Sequence, residues 1–257
     1  MRITIISLFP EFFDGPLSVS IPARVIQAGL ATVDFLQPRD FATNVHRTVD
    51  DTPYGGGAGM VMRAPELAAA VTSLRDAGDR RPVLLMTPQG PPLRQQHAAT
   101  LAGEDGFIVV CGRYEGIDER FIERYVDQEV CIGDFVLSGG EPAALCLVDA
   151  VLRLLPGALG NDHSAVDESF TDGLLEYPQF TRPPTFEDID VPEVLRSGDH
   201  GRVARWRRKV SLLRTEHRRP DLWQHHELSR DDQRVLADER LAVESWLYLP
   251  RKRSTNR

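Results

Sequence analysis

Five short apolar runs, rich in β-branched residues, alternate with helix-forming stretches over the first 160 residues of the chain. Strands separated by helices usually pair in parallel through right-handed crossovers, which produces a mainly parallel sheet. This alternation therefore predicts an α/β domain over residues 1–160. The strands are expected at Ile3–Phe9, Ala31–Leu36, Pro82–Met86, Phe107–Cys111 and Glu129–Ile132.

The stretches between these runs, and the one after the last run, predict helices. They are expected at Ile21–Ala28, Pro65–Leu74, Ile117–Tyr125 and Pro142–Leu155. The last of the four is apolar almost all round, so it is expected in a core or in a subunit interface. Pro142 suits its first turn, where a backbone N–H has no helical partner to lose.

The composition excludes several classes of protein. The hydrophobic fraction of 42% and the charged fraction of 26% are ordinary for a globular chain. No apolar run approaches the 18 residues of a membrane span, and the N-terminus lacks the apolar run and cleavage site of a signal peptide. The three cysteines supply neither a disulfide framework nor zinc-ligand spacing. A reduced, cytoplasmic protein that does not bind membranes is therefore expected.

The character of the sequence changes after Gly160. Residues 161–173 are polar and acidic with little periodicity, which predicts a flexible linker, and residues 174–257 are expected to form a helical C-terminal domain. One apolar helix face in that domain is predicted by four residues at helical spacing: Val203, Trp206, Val210 and Leu213. A second amphipathic helix is expected over Leu236–Leu247.

One segment is strongly basic, although the chain as a whole has a formal net charge of −8. Between Arg202 and Arg219 there are eight basic residues and one acidic residue, which gives this segment a charge of +7. A local basic stripe is the electrostatic footprint of phosphate contacts, and the alternative interpretation is a solvated helix face. Arg207 and Lys209 are expected to face away from the apolar side, where they could meet phosphate.

Three glycine-rich loops lie where strands are expected to end: Tyr54–Gly59, Cys111–Gly116 and Ile132–Gly140. Glycine permits positive φ and a close approach of backbone to ligand, and ligands of open α/β sheets bind at the carboxyl ends of strands. The loops match neither the phosphate-loop motif nor the dinucleotide fingerprint. They predict a nucleotide-like ligand held by backbone groups, although each loop alone is also compatible with a tight turn.

These loops and their neighbours resemble the bacterial tRNA (guanine-N1)-methyltransferase family, TrmD, of the SPOUT class. The resemblance covers roughly Met1 to Leu249 and rests on five motifs: SLFPEFF from Ser7, HRTVDDTPYGGGAGM from His46, CGRYEGIDER from Cys111, IGDFVLSGGE from Ile132 and YPQFTRP from Tyr177. It implies a SPOUT-type parallel sheet with a deep trefoil knot, a small helical C-terminal domain and a homodimer. It also implies methyl transfer from S-adenosylmethionine to N1 of guanosine at position 37 of tRNA.

The same resemblance implies which residues hold the methyl donor. They are Thr87, Pro88, Gln89, Gly90, Gly112, Tyr114, Glu115, Ile132, Gly133, Phe135, Leu137, Gly139, Gly140 and Ala143. Family members usually continue the last loop as Gly-Gly-Glu-Leu-Pro-Ala, whereas this chain places its proline one position earlier, at Pro142.

Methylation of guanine N1 requires a base and a cation, because N1 carries a proton at neutral pH and O6 gains negative charge. The family places its base one residue before a Ser-Phe pair, which here corresponds to Glu168, with Asp167 directly before it. Glu168 is favoured by register, and Asp167 remains the alternative. The corresponding cation is Arg153, which could donate to O6, fix the base, or complement the helix dipole.

The resemblance also implies two groups of RNA-binding residues. His46, Arg47, Asp50 and Tyr54 would contact the target nucleotide. The basic segment would contact phosphates of the anticodon stem through Arg207, Arg208, Lys209, Arg214 and Arg218, giving affinity without sequence information.

Other functions remain open at this stage. The chain could be a SPOUT methyltransferase that acts on another RNA, or a non-catalytic nucleic-acid-binding protein. It could also be a regulator that uses the Val203–Leu213 helix on DNA and senses a ligand through its N-terminal domain. Magnesium is possible, but no dedicated carboxylate cage is visible in the sequence.

Overall fold

The computed structural model describes residues 1–159 and 168–250, which form two compact units divided between Asp162 and His163. The strands of the described residues are β1 (Arg2–Ile6), β2 (Thr32–Leu36), β3 (Asp50–Asp51), β4 (Val61–Met62), β5 (Val83–Met86), β6 (Gly106–Cys111), β7 (Gln128–Val130), β8 (Thr185–Phe186) and β9 (Ile189–Asp190). The helices are α1 (Asp14–Leu17), α2 (Ser20–Gln27), α3 (Ala64–Asp76), α4 (Gln95–Ala102), α5 (Glu119–Tyr125), α6 (Glu141–Leu152), α7 (Glu193–Arg196), α8 (His200–Arg218), α9 (Pro220–Trp223) and α10 (Arg230–Ala237). Short 3-10 turns occupy Pro10–Phe13, Pro38–Phe41 and Ser245–Leu247.

A five-stranded parallel sheet in the order β2-β1-β6-β5-β7 organises the N-terminal unit. All five of its strands were predicted from the apolar runs, so the α/β class with a mainly parallel sheet is confirmed. The first strand ends at Ile6 rather than Phe9, because the Ser7 hydroxyl accepts from the Phe9 backbone N–H and Pro10 begins a 3-10 turn. The trefoil knot stays a prediction.

Both faces of the sheet are buried, which explains why its central strands are apolar without alternation. In β5, Leu84 and Met86 pack against α2, α4 and α6, whereas Val83 and Leu85 pack against α3 and α5. The sheet therefore has helices on both sides, and its carboxyl edge is left to the loops.

The predicted helices occur close to their expected bounds, and α4 is an addition that the apolar pattern did not reveal. Helix α6 buries one face, including Leu147, Val148 and Val151, in the core of the N-terminal unit. Its other face carries Leu145, which is half-buried, and Cys146, which is exposed. The proline at position 142 lies in the first turn of α6, as predicted.

The C-terminal unit is built around α8, whose Trp206 and Val210 are buried against Leu241 and Leu247. The predicted apolar face is present, although Val203 and Leu213 are only half-buried. The helix predicted over Leu236–Leu247 is wrong. Helix α10 ends at Ala237 because the Asp238 carboxylate accepts from the Arg240 backbone N–H and turns the chain.

The predicted linker divides into two parts. Residues 161–167, including Asp167, lie outside the described residues. Residues 168–173 belong to the C-terminal unit, where Asp172 forms an ion pair with Arg208 and the Arg219 guanidinium lies 5.7 Å from the centre of the Phe170 ring. Among the helices of residues 1–159 and 168–250, none combines the length and apolar character needed to cross a bilayer.

Candidate active site

A cavity of about 340 Å³ lies in the N-terminal unit at the carboxyl ends of β5, β6 and β7. Three loops line it: the turn after β5, the glycine loop after β6, and the long loop that joins β7 to α6. This is the edge at which open parallel sheets bind ligands, because the crevices between successive loops open there.

The structure brings most of the residues predicted to hold the methyl donor to this cavity. Those that line it are Thr87, Pro88, Gln89, Gly112, Tyr114, Glu115, Ile132, Gly133, Phe135, Leu137, Gly139, Gly140 and Ala143. The early proline of this chain leaves Ala143 in place on the cavity wall. The structure shows that these residues converge on one cavity. Their role in binding the methyl donor stays a prediction.

Gly90 differs from the other residues of this set because it does not line the cavity. A Cβ atom at this position would lie 2.5 Å from the Glu129 carbonyl carbon and 2.6 Å from the Val130 nitrogen. The glycine is therefore required for close packing of the loop after β5 on strand β7.

The cavity loops are held together through their backbones. The Gly140 N–H donates to the Gly112 carbonyl oxygen at 2.8 Å, and the Leu93 N–H donates to the Cys131 carbonyl oxygen at 2.7 Å. A Cβ atom on Gly140 would lie 2.8 Å from the Cys111 Cα atom. Glycine at position 140 thus permits a close approach of two backbone segments that any side chain would prevent.

The loop between β3 and β4, which is predicted to contact the target nucleotide, is joined to the same cavity. The Glu115 N–H donates to the Met60 carbonyl oxygen at 3.0 Å, and the Glu115 side chain fills the space that a Cβ atom on Gly59 would need. The Tyr114 hydroxyl lies near Asp50, one of the residues predicted to contact RNA, and near Arg39. Burial raises the pKa of Tyr114, and the negative charge of Asp50 raises it further. Tyr114 therefore stays protonated at neutral pH and can hold the Asp50 carboxylate beside the cavity.

Three other residues predicted to contact the target nucleotide project into solvent. His46 and Tyr54 are exposed, and Arg47 forms an exposed ion pair with Asp40 at 3.4 Å. Arg47 also has a φ of 49°, a left-handed conformation that is uncommon for a residue with a side chain. This loop presents its side chains outward, as a surface that binds a macromolecule would.

The two candidate catalytic groups belong to different units. Arg153 is half-buried and directly follows α6, so it caps the helix rather than lying within it as predicted. Its charge complements the negative end of the helix dipole. Glu168 is half-buried at the start of the described part of the C-terminal unit.

The basic residues of α8 differ from the expected free stripe because they have partners inside the C-terminal unit. The Arg207 guanidinium lies 4.5 Å from the Tyr177 ring centre, and Lys209 donates to the Asp238 carbonyl oxygen at 2.9 Å. Arg214 donates to the Glu176 carbonyl oxygen, and Arg218 donates to carbonyl oxygens of residues 247–249. The expectation that Arg207 and Lys209 are free is therefore wrong, because both long side chains turn back to pack on the unit. Arg202 and Arg205 on the same helix are exposed.

Arg208 has the strongest of these internal contacts. Its Nε atom donates to Asp232 at 2.6 Å, and Asp232 also receives the Ser229 hydroxyl at 2.7 Å in the capping box of α10. The hydrogen bond from Arg208 lowers the pKa of Asp232 to about 2. This pair joins α8 to α10.

We expect Asp232→Asn to lower the free energy of unfolding at pH 7 by about 2 kcal/mol. Since the folded pKa lies below the unfolded value near 4, the stabilisation is present above pH 4 and is lost as the pH falls towards 2. The three tryptophans of the chain all lie in the C-terminal unit, so fluorescence during urea unfolding reports this unit. Asp231→Asn, at an exposed carboxylate of the same helix turn, is the control and should change little. Equal stability of the two variants at pH 7 would contradict the prediction.

Sequence reasoning missed two charged residues at the cavity, Arg113 and Glu141. Both lie inside the motifs that carry the resemblance, and Glu141 begins a strongly apolar helix. An acid in that position has to be paired if it is buried, and this signal could have revealed it. The pKa of the neighbouring Cys111 thiol is raised by burial and then by the charge of Glu141, so this cysteine is not a nucleophile at neutral pH.

No group of three or more His, Cys, Asp or Glu side chains that could hold a metal ion occurs within residues 1–159 and 168–250.

Comparison with known proteins identifies the same family as the motifs in the cavity loops. The family model described as tRNA (Guanine-1)-methyltransferase TrmD matches residues 1–225. A tRNA (guanine-N(1)-)-methyltransferase of Chelativorans sp. (strain BNC1) is 54% identical over 222 residues, which cover 86% of this chain and 94% of that protein. The protein of the same name from Pelotomaculum thermopropionicum is 51% identical over 240 residues, covering 93% and 96% of the two chains.

The fold is that of an α/β protein with a cavity at the carboxyl edge of its sheet, and the comparisons place it in the methyltransferase class. More particularly, the chain belongs to the tRNA (guanine-1)-methyltransferase TrmD family.

Proposed function

We propose that this protein transfers a methyl group from S-adenosylmethionine to N1 of guanosine 37 in tRNA. The observation that carries the proposal is the convergence of two glycine-rich loops, after β6 and after β7, and the turn after β5 on one cavity at the carboxyl edge of a parallel sheet, in a chain of this family. The relatives are named as tRNA guanine-N1 methyltransferases, which supports the same substrate for this chain.

The cavity fits the proposed donor in its chemistry. Its wall combines apolar side chains, such as Ile132 and Leu137, with glycines that bring backbone to its surface, such as Gly133 and Gly139. Apolar surface can cover an adenine ring, while backbone N–H and C=O groups can read its edge. When bound, S-adenosylmethionine would supply an electrophilic methyl group on a positively charged sulfur.

The residues of the chain would carry the proton and the charge. Glu168, or its neighbour Asp167, would take the proton from N1, so that the ring nitrogen can form its bond to the methyl group while the sulfur keeps the electron pair of the broken bond. Arg153 would stabilise the negative charge that grows on O6. The Tyr114 and Asp50 pair would position the extruded guanosine beside the cavity.

We also propose a homodimer that works in the cytoplasm. Helix α6 does not bury all of its apolar residues, since Leu145 and Ala150 are half-buried and Cys146 is exposed. An apolar helix face of this kind suits contact with a second copy. Sedimentation equilibrium of the protein would give the mass of a dimer; a monomer at micromolar concentration would contradict this part of the proposal.

Mass spectrometry of an unmodified tRNA transcript, before and after incubation with protein and S-adenosylmethionine, tests the reaction. We expect a single added methyl group on the fragment that contains guanosine 37, and no methylation when position 37 is adenosine. Methylation of a ribosomal RNA fragment instead would favour another SPOUT substrate. RNA binding without consumption of the donor would favour a non-catalytic protein.

RNA binding should depend on salt through the exposed arginines of α8. The field of the whole basic helix, including Arg207, Arg208, Lys209, Arg214 and Arg218, would attract the anticodon stem. Direct phosphate contacts are expected from Arg202 and Arg205, because these side chains are exposed.

We expect replacement of Arg202 and Arg205 by alanine to reduce the log-log salt slope of tRNA binding by about 0.7–0.9 per lost contact. Filter binding over a salt series measures this slope. A matched control removes two exposed arginines of the N-terminal unit, Arg80 and Arg124. An equal change in the control would show that total charge, rather than the basic helix, determines binding.

A further inference from the structure

A carboxylate is buried beneath the long cavity loop. Glu141 is the first residue of α6 and directly follows Gly140, and no part of its side chain reaches solvent. It does not line the cavity. A buried charge is costly unless it is paired, so its partners indicate what it is for.

Glu141 has two partners, which come from two neighbouring strand ends. Its Oε1 atom accepts from the Ser7 hydroxyl, which follows β1, at 2.7 Å. Its Oε2 atom lies 2.8 Å from Nε of Arg113, which follows β6. Ser7 is itself fully buried, and its hydroxyl oxygen accepts from the Phe9 N–H at 3.0 Å. The carboxylate therefore ties the start of α6 to the carboxyl edge of the sheet.

Arg113 extends this contact to the wall of the cavity. Its guanidinium donates to the Ser138 carbonyl oxygen at 3.1 Å and lies 4.5 Å from the centre of the Phe9 ring. A Cβ atom on Gly139 would collide with the Arg113 side chain, so the loop backbone passes directly over the guanidinium. Arg113 thus connects the buried carboxylate to the loop that lines the cavity on both sides of Ser138, through Leu137 and Gly139.

We propose that Glu141 is a positioning residue, which acts through Arg113 and with Ser7 to hold the Ser138–Gly139 backbone where it can bind the methyl donor. This inference rests on the proposed function and deepens it. Stability alone is a weak reason to keep such a pair, because apolar residues of similar volume often replace buried ion pairs without loss. A fixed loop geometry is a reason that apolar packing would not supply, because a guanidinium can pair with a carboxylate on one side while another of its N–H groups donates to a carbonyl.

The matched control is another enclosed ion pair of the same unit, Asp79 with Arg81, whose side chains are 7% and 9% exposed. Arg81 donates to the Arg2 carbonyl oxygen and to the Thr4 hydroxyl. Arg2 begins β1, and Asp79 and Arg81 come shortly before β5. The pair therefore sits at the amino edge of the sheet, away from the cavity. Asp79→Asn should therefore destabilise the unit without changing the donor site.

The experiment measures S-adenosylmethionine affinity by titration calorimetry, tRNA affinity by filter binding, and thermal stability. We expect Glu141→Gln to weaken donor binding about tenfold, within the range of coupling between residues of one network. Ser7→Ala, which removes one hydrogen bond and keeps the ion pair, should show a smaller change in the same direction. The KM for the donor should rise in both variants more than kcat falls, and the tRNA affinity should not change.

Two outcomes would overturn the inference separately from the proposed function. If the wild type binds the donor and both variants bind it equally well, while losing as much thermal stability as Asp79→Asn, the pair is only structural. If Glu141→Gln does not fold, an unchanged donor affinity of Ser7→Ala overturns the inference in the same way. If the wild-type protein itself does not bind S-adenosylmethionine, the proposed function fails and this inference fails with it.

Discussion

Glu168→Gln and Arg153→Ala should each abolish most methyl transfer while leaving S-adenosylmethionine binding intact. Loss of a general base typically costs about 10²–10⁴-fold in rate, and loss of one charged donor to a developing oxyanion about 10²–10³-fold. The donor cavity lies in the N-terminal unit and neither side chain lines it, so its affinity should not change. Single-turnover assays with labelled donor give the rate, and calorimetry gives the affinity.

The control for this prediction is Glu187→Gln, which neutralises an exposed carboxylate of the same C-terminal unit. It should retain full activity. If Glu168→Gln is fully active and Asp167→Asn is inactive, the base is Asp167. Full activity of both variants would contradict a carboxylate base in this segment.

Gly140→Ala should weaken donor binding by forcing apart the two cavity loops that meet at Gly140. The added methyl group would lie 2.8 Å from the Cys111 Cα atom and 2.9 Å from the Gly112 nitrogen, and both are backbone atoms that cannot rotate away. Gly140 has a φ of −77°, which alanine adopts without strain, so the effect is purely steric. Overpacking of this kind costs about 1–3 kcal/mol, and we expect donor affinity to fall by about 10- to 100-fold in proportion.

Two other glycines make this prediction specific. Gly139→Ala meets the end of the flexible Arg113 side chain, so its effect should be smaller. Gly15→Ala has open space within 4 Å and should bind the donor like the wild type. Calorimetry should show the largest loss of donor affinity for the Gly140 variant, a smaller loss for the Gly139 variant and none for the Gly15 variant. A Gly140 variant with wild-type affinity would show that the loops separate freely.

The sheet could be predicted from the sequence because its strands are buried on both faces. Each central strand is a continuous apolar run, as in Val83–Met86. Such a run is typical of a parallel sheet that helices cover on both faces. Helix α4 was missed because its buried residues are few, Ala98 and Leu101, and polar residues surround them. A helix stabilised mainly by tertiary packing leaves a weak periodic signal.

The C-terminal unit was harder to predict, because side-chain contacts decide its structure. The arginines of α8 look like a solvated stripe by sequence spacing, yet Arg208 reaches Asp232 on α10 and Arg207 covers Tyr177. Long cationic side chains can turn back over a surface, so helical spacing does not fix where their charged ends lie. The Asp238 turn that ends α10 depends on one side-chain hydrogen bond, which no periodicity records.

The loops that line the cavity could be expected from the sequence, whereas the charged contacts behind them could not. The family resemblance, which rests on the glycine-rich motifs, implied that the loops around Gly112, Gly133 and Gly140 share one site, and they do converge on one cavity. The pairing of Glu141 with Ser7 and Arg113 joins residues that are far apart in sequence. Only the parallel register of the sheet brings them together.

The glycines in the cavity wall also have a consequence for inhibitors. A point mutation changes side chains and leaves peptide groups where they are, so a compound that hydrogen-bonds to the loops around Gly133 and Gly139 offers few positions for resistance. Substitution at these glycines would displace the Phe135 ring or the Arg113 guanidinium, which occupy the space beside them. Escape from such a compound should therefore require a change that moves the loop backbone itself.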